Sequence, residues 1–122
     1  MKFYRCEHCG NIVQKIEDSK VPLFCCGEEM KELVANTKDA AVEKHIPVIK
    51  EENGRRMIEV GSTLHPMTKE HLIEWIYVEY EYGGLLHYFT EDDEPILEIK
   101  TDDNIIAVYE YCNLHGLWKM EG

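Results

Sequence analysis

Four cysteines fall within the first 26 residues, as Cys6-x-x-Cys9 and the adjacent pair Cys25-Cys26. A segment this short and this poor in large apolar residues cannot hold itself together by burial alone, so the thiols are read as a metal site. Cys6-x-x-Cys9 brings two sulfurs onto one turn, and Gly10 lets the backbone curl back so that its N–H groups face them. Cys25-Cys26, followed by Gly27, supplies the other half of a tetrahedral four-thiolate centre. Adjacent cysteines cannot use the usual two-residue loop, which predicts a distorted tetrahedron. Spacing leaves iron and zinc equally open, because both accept four thiolates at similar geometry. The bland readings are a Cys25–Cys26 disulfide or free buried thiols, and His8, inside the first loop, reads as a surface residue pointing outward.

The chain of 122 residues is long enough for one ordinary core and a small appendage. We place the boundary near Asn36, giving domains 1–36 and 37–122. The first has 5 Lys and Arg against 6 Asp and Glu, or −1, and the second 8 against 18, or −10. A total of −11 argues against nucleic acid, which needs clustered Lys and Arg. No run approaches the ~20 apolar residues of a membrane span, and the start MKFYRCEHCG lacks the apolar core of a signal peptide, so the expectation is a cytoplasmic protein. The fifth cysteine, Cys112, makes the number odd, which suits metal ligation in a reducing compartment better than disulfide pairing.

Short runs of β-branched and aromatic residues, bounded by Gly, Pro, Asn or Asp, predict an all-β chain. Expected strands are Asn11–Ile16, Met30–Ala35, Ile46–Lys50, Arg56–Val60, Leu72–Glu81, Leu85–Thr90, Pro95–Lys100 and Ile105–Tyr111, with Gly83-Gly84 as a hairpin turn. Seven or so strands after residue 36 suggest an antiparallel sandwich. Thr68–His71 is expected to form one helical turn, and Glu91–Glu94 and Asp102-Asp103 to be solvated turns.

A second cluster lies in the larger domain. Cys112-Asn113-Leu114-His115 ends a run expected to be a core strand, whose alternation puts Ile106, Val108 and Cys112 on one face. A buried structural cysteine is the bland alternative. The histidines shift that balance. His45 precedes one expected strand, His71 starts another, and His65 precedes Pro66 in a Gly-containing turn; each stands at an element end, where loop-borne ligands gather. His87, inside Leu85–Phe89, keeps a packing role.

These residues carry a resemblance that covers nearly the whole chain. Cys6-x-x-Cys9 with Cys25-Cys26, Glu43-Lys44-His45-Ile46-Pro47, His65-Pro66-Met67, His71 with Ile73-Glu74-Trp75, and Cys112-Asn113-Leu114-His115-Gly116-Leu117-Trp118 together resemble the desulfoferrodoxin-type, two-iron superoxide reductases. The resemblance implies a rubredoxin- or desulforedoxin-like iron centre in the small domain and a square-pyramidal iron in an immunoglobulin-like sandwich. Its equatorial ligands would be His45, His65, His71 and His115, with Cys112 axial. It also implies one-electron reduction of superoxide to hydrogen peroxide, a small redox protein such as rubredoxin as electron donor, and a homodimer. Lys44 would draw the anion in and orient a protonating water, and Glu43 would close the sixth position of the oxidised metal. Without the resemblance, Glu43-Lys44 is a solvated pair.

The donor chemistry agrees with that implication. Four neutral imidazoles and one thiolate leave a ferrous ion with a single net positive charge and an open position for an anion. Two other readings stay open on residues alone. Cys112, His115, Met120 and one upstream histidine fit a blue-copper electron carrier, and the whole chain also fits a zinc-stapled binding domain.

Overall fold

The computed structural model describes residues 1–38 and 40–122. Its chain divides into two compact units, Met1–Val34 and Ala35–Gly122, and both are built almost entirely of antiparallel strands. No helix among the described residues is long and apolar enough to cross a membrane.

In the first unit, β1 (Lys2–Arg5) pairs with β2 (Ile12–Lys15), while β3 (Phe24–Cys25) and β4 (Glu28–Glu29) form a miniature hairpin. β5 (Lys31–Glu32) returns to the free side of β1, giving the order β2-β1-β5. Only Phe3, Cys6 and Met30 are buried here, too little apolar surface to stabilise 34 residues against their chain entropy. Asp18 holds the loop after β2, accepting from the Lys20 amide at 2.9 Å and from the ammonium groups of Lys15 at 3.0 Å and Lys2 at 3.2 Å. Two differences from the sequence expectation follow from size. β1 was not expected, because a strand of four residues running into Cys6 carries too little alternation to read. Met30–Ala35 contracts to Lys31–Glu32, where only the pairing with β1 sustains extended backbone.

The second unit opens with one helical turn, α1 (Val42–His45), followed by seven strands: β6 (Pro47–Glu52), β7 (Arg55–Val60), β8 (Ile73–Tyr80), β9 (Gly83–Tyr88), β10 (Ile96–Ile99), β11 (Ile105–Cys112) and β12 (Gly116–Glu121). They form a three-stranded sheet, β10-β7-β6, and a four-stranded sheet, β12-β11-β8-β9. The connections β7–β8, β9–β10 and β10–β11 each pass from one sheet to the other, the Greek-key pattern of an immunoglobulin-like sandwich. Ile58, Val60, Ile73, Ile76, Val78, Phe89, Ile99, Ile105, Val108 and Cys112 form its core, and each large aliphatic there contributes ~1.5–3 kcal/mol relative to exposure.

Four details depart from the expected strand map. The β8–β9 turn is Glu81-Tyr82, since Tyr80 pairs with Gly83. Gly84 is needed for space instead: a Cβ there would run into the Tyr77 ring. The one helical turn is Val42–His45, not Thr68–His71. The latter segment is a bend closed by reciprocal backbone bonds between Thr68 and His71, at 2.9 and 3.2 Å, and by the Thr68 hydroxyl. A β-bulge between Ile105 and Ala107 resets the alternation, so Ile106 is 41% exposed while Val108 and Cys112 face the core. Finally, Gly116–Glu121, read in the sequence only as a ligand-bearing motif, is a full strand along β11.

Candidate metal centres

The first centre is built from two tight turns. Between β1 and β2 the Gly10 amide donates to the Cys6 carbonyl at 2.9 Å and the Cys6 amide to the Asn11 carbonyl at 2.9 Å, with Gly10 at φ +81°. This turn presents Cys6 and Cys9 together. On the β3–β4 hairpin Cys25 pairs with Glu28, leaving Cys26-Gly27 as the loop, both at positive φ (53° and 78°). A two-residue loop with that handedness matches strand twist, and it explains how adjacent cysteines aim at one point: one sulfur leaves the strand and the other leaves the turn.

All four sulfurs lie within 4.8 Å of one another. Cys9 Sγ and Cys25 Sγ are 3.7 Å apart, and Cys25 Sγ and Cys26 Sγ 4.0 Å apart. Four thiolates at ~2.3 Å from one ion at tetrahedral angles would stand about 3.8 Å apart, so the spacing fits a four-coordinate ion. The charges ask for one as well. The Cys9 amide, donating to Cys6, holds that thiol down to about 6. The neighbouring sulfurs of Cys9 and Cys6 push Cys25 up and push Cys26 up to about 12. The site thus accommodates the Cys6 thiolate readily, whereas the protons of Cys25 and Cys26 leave when a cation replaces them. His8 points away from the sulfurs and pairs with Glu28 at 3.0 Å.

The second centre sits at one end of the sandwich. His45 ends α1 and leads into β6; His65 follows β7; His71 precedes β8; Cys112 ends β11, and His115 occupies the three-residue turn into β12. That turn closes on Gly116 at φ +78°, paired with Cys112, so thiol and imidazole are thrown to the same side of the hairpin. The His45 and His65 segments are locked to each other at Gly61. Its φ is +83°, and a Cβ there would overlap the Glu43 carbonyl and stand 2.6 Å from Lys44 Cα. The Thr63 amide bonds the Glu43 carbonyl at 2.9 Å, and the Gly61 amide the Ile46 carbonyl at 3.1 Å. On the other side, Asn113 ties the His71 segment to the end of β11, accepting from the Leu72 amide at 3.1 Å and donating to the Glu70 carbonyl at 2.9 Å.

The four imidazoles form a near-square. Ring centroids are 4.7 Å apart for His45–His65, 4.5 Å for His65–His71, 5.0 Å for His71–His115 and 4.9 Å for His45–His115, each pair at 79–83°. The diagonal His45–His71 is 6.4 Å. His45 Nε2 lies 3.2 Å from His65 Nε2 and 3.0 Å from His115 Nδ1. Two imidazoles bound at ~2.1 Å and at right angles would place their nitrogens about 3 Å apart. Cys112 Sγ backs the square from the buried side, 3.4 Å from His65 Nε2 and 3.9 Å from His115 Nδ1.

Tautomers are set by the outer partners. Nδ1–H of His45 donates to the Ala41 carbonyl and Nδ1–H of His65 to the Pro66 carbonyl, both at 2.6 Å, leaving Nε2 lone pairs turned inward. His71 Nε2 is buried with no hydrogen-bond partner, an orphaned acceptor of the kind a cation satisfies. Burial pushes His65 down to about 4 and lowers His45 and His71, so these rings are neutral donors at neutral pH. Burial raises the Cys112 thiol, against the lowering effect of the His115 and Leu114 amides. Its proton is therefore displaced by a cation rather than by solvent. Burial also raises Glu110, fully buried two residues along β11 with neither carboxyl oxygen partnered.

Glu43 and Lys44, which precede His45 in α1, are both exposed. The Lys44 ammonium contributes to the lowering of both His45 and His71, behind burial in each case. Among the described residues Lys44 has no ion pair, whereas Lys50, Arg55 and Lys119 all have carboxylate partners.

Other sequence candidates lie elsewhere. His87 packs edge-on against Phe89 at 4.7 Å. Met120 pairs with Val108 along the hairpin and packs against the core, so it does not complete a blue-copper set. Five donors in a square-based array also differ from a closed tetrahedral zinc. Trp118, quoted in the sequence only within a motif, stacks on His45 at 4.8 Å and 29° and donates from Nε1 to the His115 carbonyl at 3.1 Å. The two donor groups fit two iron sites.

Comparison with known proteins gives one answer along the whole chain. The family profile described as desulfoferrodoxin matches residues 37–121, and that described as desulfoferrodoxin, N-terminal domain, matches residues 1–33. A desulfoferrodoxin of Syntrophotalea carbinolica is 41% identical over 122 residues, covering 100% of this chain and 97% of that protein. A desulfoferrodoxin homolog of Archaeoglobus fulgidus is 40% identical over 121 residues, covering 98% and 95%. The crystal structure of the superoxide reductase from Treponema pallidum superposes with a TM-score of 0.77 at 31% identity, over 98% of each chain. With both domain profiles matched in order and the relatives aligned end to end, this chain belongs to the desulfoferrodoxin family.

Proposed function

We propose that this chain is a superoxide reductase, converting superoxide to hydrogen peroxide with one electron and two protons at the centre formed by His45, His65, His71, His115 and Cys112. The observation that carries the proposal is the square of four imidazoles with a buried thiol behind it. Iron held by these five residues would supply the electron and a Lewis-acid site for the anion. The division of labour assigned here gives residues 1–36 the four-thiolate centre and residues 37–122 the reaction.

Superoxide is an anion approaching a domain of formal charge −10, so its attraction has to be local. Lys44, exposed and next to His45 in the sequence, is assigned that attraction. Lys44 Nζ holds the incoming oxygen and the water that delivers protons to it; the ammonium need not give up its own proton. Burial keeps the His45, His65 and His71 rings neutral, and Cys112 is the one donor of the set that would carry negative charge. Cys112, on the buried side, would hold the iron through its thiolate and lend it electron density. Glu43, exposed beside Lys44, would be a further ligand for the oxidised iron.

The electron donor in this reading is a small redox protein of rubredoxin type, the assembly a homodimer and the compartment the cytoplasm, where thiols remain reduced. The experiment is metal analysis followed by mixing the reduced protein with superoxide. Two irons per chain, oxidation of the second centre and one peroxide formed per superoxide consumed support the proposal. A colourless protein with zinc alone, or iron that superoxide leaves reduced, overturns it.

A further inference from the structure

The indole of Trp118 touches two corners of the imidazole square at once. Its ring stacks on His45, with centroids 4.8 Å apart and planes 29° apart, and its Nε1–H donates to the carbonyl of His115 at 3.1 Å. Those are adjacent corners, with His45 Nε2 and His115 Nδ1 only 3.0 Å apart. Trp118 is also the largest of the fully buried side chains, at 1% exposure.

Nothing else described makes the same connection. His45 rides on α1, whose four residues have no side-chain cap at Ala41, and His115 sits in a three-residue turn. A helical turn this short and a hairpin loop this tight are each weak at fixing a ring plane. The Ala41 carbonyl fixes the tautomer of His45, yet it lies on the same turn and moves with it. Trp118 belongs to β12, held along six residue pairs to β11, and so refers both imidazoles to the rigid four-stranded sheet. His71, by contrast, is tied to that sheet by Asn113, while the Gly61 crossing joins the His65 loop to the His45 segment and not to the four-stranded sheet.

We propose that Trp118 is the positioning residue of the second centre. By stacking on His45 and fixing the His115 carbonyl, it sets the angle between these two donors and hence how tightly and with what potential iron is held. The inference rests on the assignment of iron to the square, and deepens it. Outer partners of metal-bound imidazoles change affinity by about 10- to 100-fold when removed. Trp118→Phe keeps an aromatic face for His45 and loses the donor; Trp118→Leu loses both.

The test uses the full-length, iron-loaded protein, with the four-thiolate centre of the same chain as internal control. Iron release from each centre is followed by its own absorption band during competition with a chelator, and the reduction potential and thiolate-to-iron band of the second centre are recorded. The expected result is about 10-fold faster release from the second centre for Trp118→Phe and up to about 100-fold for Trp118→Leu. Potential and band should shift in the same order, while the first centre stays unchanged. If Trp118→Leu does not fold, Trp118→Phe decides alone. Variants that lower thermal stability but leave release, band and potential of the second centre unaltered overturn the inference, because a merely structural tryptophan predicts that pattern. A wild-type protein with no iron at the square would instead overturn the functional assignment, so the two failures are separable.

Discussion

Removing iron should make the sandwich sensitive to mild acid, and His65 sets the size of the effect. Its ring is 3% exposed, and burial pushes its pKa from 6.5 down to about 4. In the apo-protein, between these values, the unfolded chain binds a proton that the folded chain does not. Stability is therefore complete above about 6.5 and lost as pH falls toward about 4. Lowering the pH from about 7.5 to about 5 should cost about 2 kcal/mol through His65 alone. His45 and His71, also lowered by burial, act in the same direction. Glu110 opposes them: its raised pKa means that the folded form keeps a proton the unfolded form releases, so acid favours folding at that site. The measurement is accordingly made on Glu110→Gln, with and without His65→Gln, by urea unfolding of the apo-protein. Both tryptophans, Trp75 and Trp118, lie in the second unit, so their fluorescence reports the sandwich alone. The midpoint of Glu110→Gln should fall by roughly 1 M urea between the two pH values, for a slope of ~1–3 kcal/mol/M, and His65→Gln should remove most of that fall. Identical pH dependence with and without His65 would refute the burial argument.

Three further outcomes follow from the same geometry. Lys44→Ala should slow the reaction with superoxide on the order of 10-fold at low salt, with the deficit shrinking as ionic strength rises, because the lost contribution is attraction of an anion; stopped-flow rates across a salt series check this. Cys112→Ser should abolish the visible thiolate-to-iron band of the oxidised second centre while leaving the bands of the first, and a persisting band would place another sulfur on the metal. Gly61→Ala should destabilise the second unit by about 2–4 kcal/mol, since it adds both a strained φ and an overlap with the Glu43–Lys44 backbone; a midpoint equal to wild type in the fluorescence unfolding assay would contradict that packing.

The converging side chains were legible in the sequence because metal chemistry draws on few residue types. Cysteines three apart, a cysteine three before a histidine, and histidines at strand ends stand out against a background of strand residues. The sandwich was legible for a similar reason, since runs such as Ile73–Tyr80 and Ile105–Cys112 are long enough to declare themselves. Features that depend on pairing were not. The bulge that turns Ile106 outward exists only relative to β8. The short strands β1 and β5 are defined by each other. α1 forms where His45 reaches back to Ala41, with no cap or apolar period to announce it. Trp118 gave no separate signal, because one aromatic residue in a strand reads the same whether it faces core or cofactor. Glu110 gave even less: a charged residue inside an apolar run looks like an outward position until the register places it within.

The two centres also differ in when they can first exist. All four sulfurs of the first are present once Cys26 has left the ribosome, and they require only two local turns. The square instead spans both sheets, taking His45 and His65 from around β6 and β7 and His71, Cys112 and His115 from around β8, β11 and β12. Its last donor, His115, follows Cys26 by 89 residues. During synthesis one ion can be captured early, whereas the other must wait for the strands of both sheets to emerge, so loading of the second is coupled to closure of the sandwich itself.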